Sequence, residues 1–274
     1  MKIARDVGTY GERLKRHLTD YRWARLGVKA RGTFQHKGKE LHYGYILPSE
    51  LKWLNILEPY RKEIREYMEA RKSLTPHRYF HHLNSSQAFA LNLFIPFLLN
   101  DRQSLATAFG CEAIESFQPE RVQDISENTN VDMWWKAASG VATHCEVKLS
   151  EGEFGLAKND NRHQEKLSGT YYPLLAGKLT DDALKPDEFF ANYQIYRYLW
   201  LASCKGNERD QVCFLLPKAN AGLVRRLQHA LKAVHAQLRT RVKVVYIEPL
   251  LERLAGGGEL GWYAKLLQEK YIRG

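Results

Sequence analysis

Apolar and polar positions recur with two different periods along this 274-residue chain, and the change of period marks its organisation. Through roughly the first 80 residues the pattern is helical or irregular. "TYGERLKRHLTDYRWARL" reads as a basic amphipathic helix, whereas the glycine spacing of "GVKARGTFQHKGKELHYGYILP" predicts a loop or hairpin. Ser49 is placed to cap the next helix. From Pro59 to Lys72, Ile64, Tyr67, Met68 and Arg71 fall at helical spacing, with Glu and Lys pairs outside. "NSSQAFALNLFIPFLLN" is apolar nearly all round, which predicts a buried helix capped by Ser85 or Ser86, with Pro96 kinking it or ending its regular part.

Beyond Ala113 the period shortens to two. "AIESFQPERV" predicts a strand with an edge or end at Pro119, because proline cannot donate to a ladder. "VDMWWKA" and "VATHCEVKL" predict two more strands around Ala138-Ser139-Gly140. Four further elements are expected: an apolar helix over "DEFFANYQIYRYLWLASC", a strand over "QVCFLLP", a helix from Ala221 to Leu238, and a last strand over "VKVVYIEPL". The second of these helices carries Leu223, Leu227, Leu231, Val234 and Leu238 on one stripe. The result is an α/β pattern in which the helix after the third strand crosses over to a parallel neighbour. On this reading residues 1–80 form a basic, mostly helical N-terminal extension and residues 81–274 an α/β core.

The hairpin between the second and third strands of this core sets a register. A three-residue loop at 138–140, with Gly140 where a left-handed residue is wanted, pairs Ala137 with Val141. Followed down the ladder, that register sets Asp132 opposite Glu146 on one face, with Cβ atoms about 4.5–5.5 Å apart. Lys148, two residues beyond Glu146, shares that face, and Val141, Thr143, Cys145, Val147 and Leu149 form the other, which suits a core. A loop of two or four residues would separate the acids. Opposed carboxylates repel by roughly a few tenths of a kcal/mol or more when partly buried. A hard divalent cation such as Mg²⁺ removes that penalty. The competing reading is a solvated charge cluster in which Lys148 neutralises one acid.

Asn130-Val131-Asp132 followed by Glu146-Val147-Lys148 resembles the PD-(D/E)XK nuclease superfamily, in which an acid opens one strand and (D/E)-x-K lies on the next. Gln194 and Tyr198 in "NYQIYRYLW" are similar to the Q-x-x-x-Y motif that follows the E-x-K strand in RecB-like nucleases; four residues apart, they share a helix face. The "NSSQAFALNLF" helix resembles the corresponding helix of one bacterial group of these proteins. The resemblance covers roughly residues 81–250. Val131 replaces the motif's proline, and the buried helix carries no acid, which leaves Glu115 or Glu120 on the first strand as the third carboxylate.

That resemblance implies a restriction-endonuclease-like α-β-β-β-α-β core, its mixed central sheet flanked by helices, and a Mg²⁺-dependent deoxyribonuclease in which Mn²⁺ substitutes. Asp132, Glu146, the Val147 carbonyl and Glu115 or Glu120 would hold the metal. Lys148 would orient or help deprotonate the attacking water, and Gln194 and Tyr198 would line the site. One alternative is a catalytically inactive nucleic-acid-binding protein of the same fold; another is a structural protein whose basic face is incidental.

Charge favours the nucleic-acid readings. The net charge is +10, residues 1–45 hold 11 Lys/Arg against 4 Asp/Glu, and the stretch from Gln211 to Ile247 holds seven Lys/Arg and no acid. Such concentration suggests a polyanionic partner, most simply DNA, with RNA left open. No apolar run approaches the roughly 18–20 residues that cross a bilayer, and the N-terminal stretch lacks an apolar signal core, so membrane association is not expected and a cytoplasmic location is. Cys111, Cys145, Cys204 and Cys213 lack CxxC spacing and read as reduced thiols. His77, His81 and His82 show no metal-ligand spacing, and Trp134 and Trp135 point to opposite faces, one of them core. Walker, GxGxxG and HExxH motifs are absent. A homodimer is compatible with all of this.

Overall fold

The first helix is set by its cap. The Thr9 hydroxyl accepts the Glu12 N–H at 3.3 Å, and the Glu12 carboxylate accepts the Thr9 N–H at 2.7 Å. The computed structural model describes residues 8–124, 129–204, 206 and 208–272; residues 1–7 of the expected extension lie outside that set. Helix α1 (Tyr10–Ala24) buries Leu14 and Leu18. Strands β1 (Gly32–His36) and β2 (Lys39–Tyr43) form an antiparallel hairpin with Phe34 opposite Leu41. Gly32 is required there, because a Cβ would come within 2.1 Å of the Leu47 carbonyl oxygen.

Ser49 does not cap a helix: it is the first residue of a 3-10 turn, Ser49–Asn55, whose cap position is Pro48. A second 3-10 turn, Glu58–Tyr60, then delays helix α2 to Arg61–Glu69, which buries Ile64 and Met68. Helix α3 (Ser86–Asn100) starts at Ser85, whose hydroxyl accepts the Ala88 N–H, and every residue from Gln87 to Leu98 is buried; Pro96 does not end it. Helix α4 (Arg102–Phe109), unanticipated, closes at Gly110 with a left-handed φ of 60°.

Three strands follow: β3 (Ile114–Asp124), β4 (Thr129–Ala137) and β5 (Ala142–Val147). Helices α5 (Asn161–Lys166), α6 (Tyr172–Leu175), α7 (Pro186–Ala191) and α8 (Tyr193–Leu201) lead to β6 (Gln211–Leu216). Then come α9 (Ala221–Lys232), α10 (Ala236–Arg239), β7 (Val242–Tyr246), α11 (Ile247–Ala255) and α12 (Gly261–Tyr271). The sheet is mixed, in the order β3-β4-β5-β6-β7, with β3 at an edge as Pro119 requires. The α/β class is the one the pattern predicted, and beyond Ala113 the five strands follow one another along the chain as expected.

Three expected elements differ. The single apolar helix over 187–204 breaks at Asn192, whose amide nitrogen turns back to the Glu188 carbonyl at 3.1 Å. The helix from 221 to 238 breaks at His235, because the Ala233 carbonyl accepts the Thr180 N–H and the His235 N–H goes to the Lys178 carbonyl. The last strand stops at Tyr246, and Pro249 falls in the first turn of α11, where its missing N–H is not needed.

Two compact units result. One joins residues up to 113, 147–150 and from 246 onward; the other joins 114–146 and 151–245 and contains nearly all of the large sheet. The first has a polar knot inside its apolar core. Asn92 accepts the Leu57 N–H at 2.8 Å and donates to the Asn55 carbonyl and the Tyr271 hydroxyl, while fully buried Lys270 donates to the Asn55 side-chain oxygen at 2.8 Å. No disulfide joins the four cysteines. Among the described residues no helix is long and apolar enough to cross a membrane.

Candidate active site

The β4–β5 turn has the loop that the register requires. Gly140 takes φ 82°, and Ala137 donates its N–H to the Val141 carbonyl at 2.9 Å. The ladder pairs Lys136 with Ala142, Trp134 with His144 and Met133 with Cys145. One residue further, the same register sets Asp132 opposite Glu146. On the other side, Pro119 pairs with Met133 and Arg121 with Val131, which brackets Glu120 opposite Asp132. One acid from each of three neighbouring strands therefore stands on one rung.

Glu120 is buried and holds φ 48°, a left-handed conformation that costs a non-glycine residue about 1–2 kcal/mol. Strain of this kind tends to collect at functional sites. Glu115 stands elsewhere: it is exposed, at the register shift between Ile114 and Ser116, roughly 16 Å along the strand from Glu120. Sequence reasoning could not separate these two acids, because the bulge and the left-handed residue have no local signature.

Glu146 is 2% exposed, so its charge needs a donor. Gln194 supplies one: its side-chain nitrogen donates to Glu146 Oε1 at 2.7 Å. The Gln194 side-chain oxygen accepts the Gly155 N–H at 2.7 Å, and its backbone N–H goes to the Gly155 carbonyl at 3.0 Å. The amide is thus fixed at both ends. Gly155 was not foreseen; nothing in "EGEFG" announces it.

Tyr198 lies one helical turn beyond Gln194 and is fully buried, hydroxyl included. Burial pushes that hydroxyl well above the usual tyrosine range, and the negative charges of Glu146 and Asp132 push it further. One oxygen that feels both carboxylates marks where they converge. On the opposite face Cys145 is buried; burial, then the neighbouring Cys213 thiol, hold it protonated, as befits a core residue.

The next rung pairs Trp134 with His144. His144 Nε2 meets Asp210 Oδ2 at 3.2 Å, and Asp210 Oδ1 accepts the Ala142 N–H at 3.1 Å. Asp210 pins the start of β5, a role that the sequence "NERDQVC" did not reveal. The Arg121 guanidinium sits 3.8 Å from the Trp134 ring centroid, and Trp135, on the other face, is core. Val147 and Lys148 pass into the other compact unit; Lys148 is half-buried just past the end of β5. The sheet side therefore brings together Asp132, Glu146, Gln194 and Tyr198, while Glu120 stands across the ladder from Asp132.

Among the described residues no three His, Cys, Asp or Glu side chains form a ready-made metal cluster. Two opposed carboxylates nevertheless suit Mg²⁺, which binds through one or two carboxylates and keeps several waters. Glu146, hydrogen-bonded and desolvated, is the kind of donor that such an ion stabilises. His77, His81 and His82 form no such set either. A family model described as "Restriction Endonuclease associating with ARP" matches residues 15–272. No curated protein matches the chain, and no solved structure does.

Proposed function

The chain belongs to the family of restriction endonucleases associating with ARP, and from that premise we propose that it is a Mg²⁺-dependent deoxyribonuclease that hydrolyses phosphodiester bonds by direct attack of water. The observation that supports this most is the β4–β5 register, which, continued one residue past the Met133–Cys145 pair, sets Asp132 opposite Glu146 beside Gln194. Asp132 and Glu146, with the Val147 carbonyl and Glu120, would hold the cation. When bound, the ion polarises the phosphate and lowers the pKa of a coordinated water.

The protein's own groups do the rest. Gln194 keeps the Glu146 carboxylate in one rotamer, so the donor set is ready before substrate arrives. Tyr198, held protonated, has a hydroxyl proton to give to a water or phosphate oxygen. Lys148, two residues on from Glu146, would orient the attacking water and offset charge on the scissile phosphate. We extend the association with ARP to this chain on the same footing.

Incubation with supercoiled plasmid, linear duplex and single strands, with and without Mg²⁺ or Mn²⁺, tests the reading. Metal-dependent cutting that disappears in Asp132→Ala and Lys148→Ala supports it. Salt-sensitive binding with no cutting would instead mark a binding protein of the same fold.

A further inference from the structure

Within the unit that holds α1 and the β1–β2 hairpin, aromatic rings and cations meet at the surface. Hairpin register places Phe34, Leu41 and Tyr43 on one face. From there the rings form a continuous row: Tyr43 to Tyr45 at 5.5 Å, Tyr45 to His82 at 6.3 Å, and His82 to Phe34 and Tyr79 at 5.8 and 5.0 Å. Two cations attend it. Lys15 Nζ lies 5.2 Å from the Tyr45 centroid, and the Arg78 guanidinium 5.4 Å from that of Tyr79.

A cluster built only for packing would be buried. Here Phe34, Tyr43, Tyr45 and His82 are half-buried, and Tyr79 is 43% exposed. The row is rigid all the same: Gly32 donates to the Ile46 carbonyl, Leu47 to that of His81, and Leu83 to that of Tyr45. The rings stay uncharged near neutral pH, because burial lowers the pKa of His82 to about 4, helped by His81 and Lys15, and raises that of Tyr45. Beside the row lies a cleft of about 700 Å³ lined by Lys15, Arg16, Thr19, Tyr43 and Tyr45. Glu12 also borders it, but its carboxylate is bound to the Thr9 cap. Residues 8–45 hold nine Lys/Arg against three Asp/Glu.

Neutral ring faces framed by fixed positive charge match one polymer in particular. We propose that this face is a platform for unpaired nucleotides of a single strand, with bases stacked on Tyr79, Phe34 and the Tyr43–Tyr45 pair and phosphates beside Lys15 and Arg78. It rests on the nucleic-acid reading but adds what that reading lacks: the chain engages a substrate with a single-stranded tract, since a duplex keeps its base faces covered by neighbouring pairs. Each stacked base contributes without regard to sequence, which leaves the platform tolerant of base identity.

The test uses the full chain in EDTA, so that nothing is cut, with three labelled probes: a short oligothymidylate, an abasic strand of the same phosphate count, and a duplex. Wild type is expected to bind oligothymidylate roughly tenfold or more tighter than the abasic strand. Tyr79→Ala and Tyr45→Ala should shrink that gap and leave duplex affinity unchanged; Tyr79→Trp should keep it. Equal binding of thymidylate and abasic strands by wild type overturns the platform, as does a parallel loss of duplex binding in the variants. Equal competition by phosphatidylserine vesicles would overturn it too, giving the face to a membrane. Plasmid cleavage with Mg²⁺ reads the nuclease assignment separately: cutting without a thymidylate preference sinks the platform alone.

Discussion

Gln194 donates to Glu146 at 2.7 Å through its amide nitrogen, while its amide oxygen accepts the Gly155 N–H at the same distance. The buried carboxylate and the loop after β5 therefore share one clamp. Gln194→Leu should leave Glu146 without this donor and lower stability by about 1.5–3 kcal/mol, the usual worth of a hydrogen bond to a charged group. Cleavage should fall alongside. Gln194→Glu should be worse, because it sets a second carboxylate against the first. Thermal denaturation and a plasmid assay read both effects; a Leu variant that matches wild type in each removes Gln194 from the site.

The β4–β5 register, extended one residue beyond Met133–Cys145, sets Asp132 opposite Glu146, and two carboxylates on one rung favour neither strand. Asp132→Asn should therefore melt no lower than wild type in metal-free buffer, while metal-dependent cleavage drops by at least about 100-fold. Retained activity, or a large loss of Tm, would return Asp132 to an ordinary structural role. Isothermal calorimetry with Mn²⁺ gives a readout apart from activity, since the variant should bind the ion more weakly.

The register of this hairpin was legible because one glycine sets it. Gly140 at the end of a three-residue loop needs a left-handed backbone, and the structure has it at 82°. Ser85 at the head of α3 was legible for the same reason, a local cap. Asn192 and His235 were not: each breaks a helix that periodicity alone would continue, through hydrogen bonds to Glu188 and Lys178. Gly155 and Asp210 enter by strand pairing and loop closure, which no spacing along the chain encodes, and the distinction between Glu120 and Glu115, both legible as candidates, likewise comes from strand pairing.

Tyr198 is fully buried, and its hydroxyl feels the Glu146 and Asp132 carboxylates. Tyr198→Phe keeps the buried ring and removes only the hydroxyl, so its stability should stay within about 1.5 kcal/mol of wild type, the net worth of one hydrogen bond. Catalysis should fall if that hydroxyl serves the reacting water or phosphate. Because its pKa is raised by burial and then by the two acids, it stays protonated, and no limb of the pH–rate profile below about 10 should shift in the Phe variant. A variant that is far less stable and fully active contradicts each part.

Lys270 is fully buried, with Asn55 as its acceptor, and burial holds its amine well below the usual lysine range, helped by the Arg61 charge. The unfolded chain therefore binds a proton that the native chain lacks between that lowered value and the ordinary one, about 10.4. Stability from this group rises with pH through the window and falls as the solution is acidified into it. Lys270→Met should flatten the slope of Tm against pH on the alkaline side of neutral. An unchanged slope would mean that the amine is charged in the folded state.

The basic charge of α1 is best tested without removing the helix, because Leu14 and Leu18 are core residues and His17 Nε2 meets the Glu269 carbonyl oxygen at 2.9 Å. Deleting the segment would unfold its unit and confuse binding with folding. Neutralising Lys15 and Arg16 together, as Lys15→Gln and Arg16→Gln, keeps the buried face of the helix intact. Each phosphate that goes without its cation should reduce the slope of log K against log salt by about 0.9 on duplex and about 0.7 on a single strand. The double variant should thus give up roughly 1.4 to 1.8 of slope if both side chains meet phosphates, and its affinity deficit should close as salt rises. A deficit that persists at high salt would point to weakened stacking through Tyr45, over which Lys15 sits, and not to missing phosphate neutralisation.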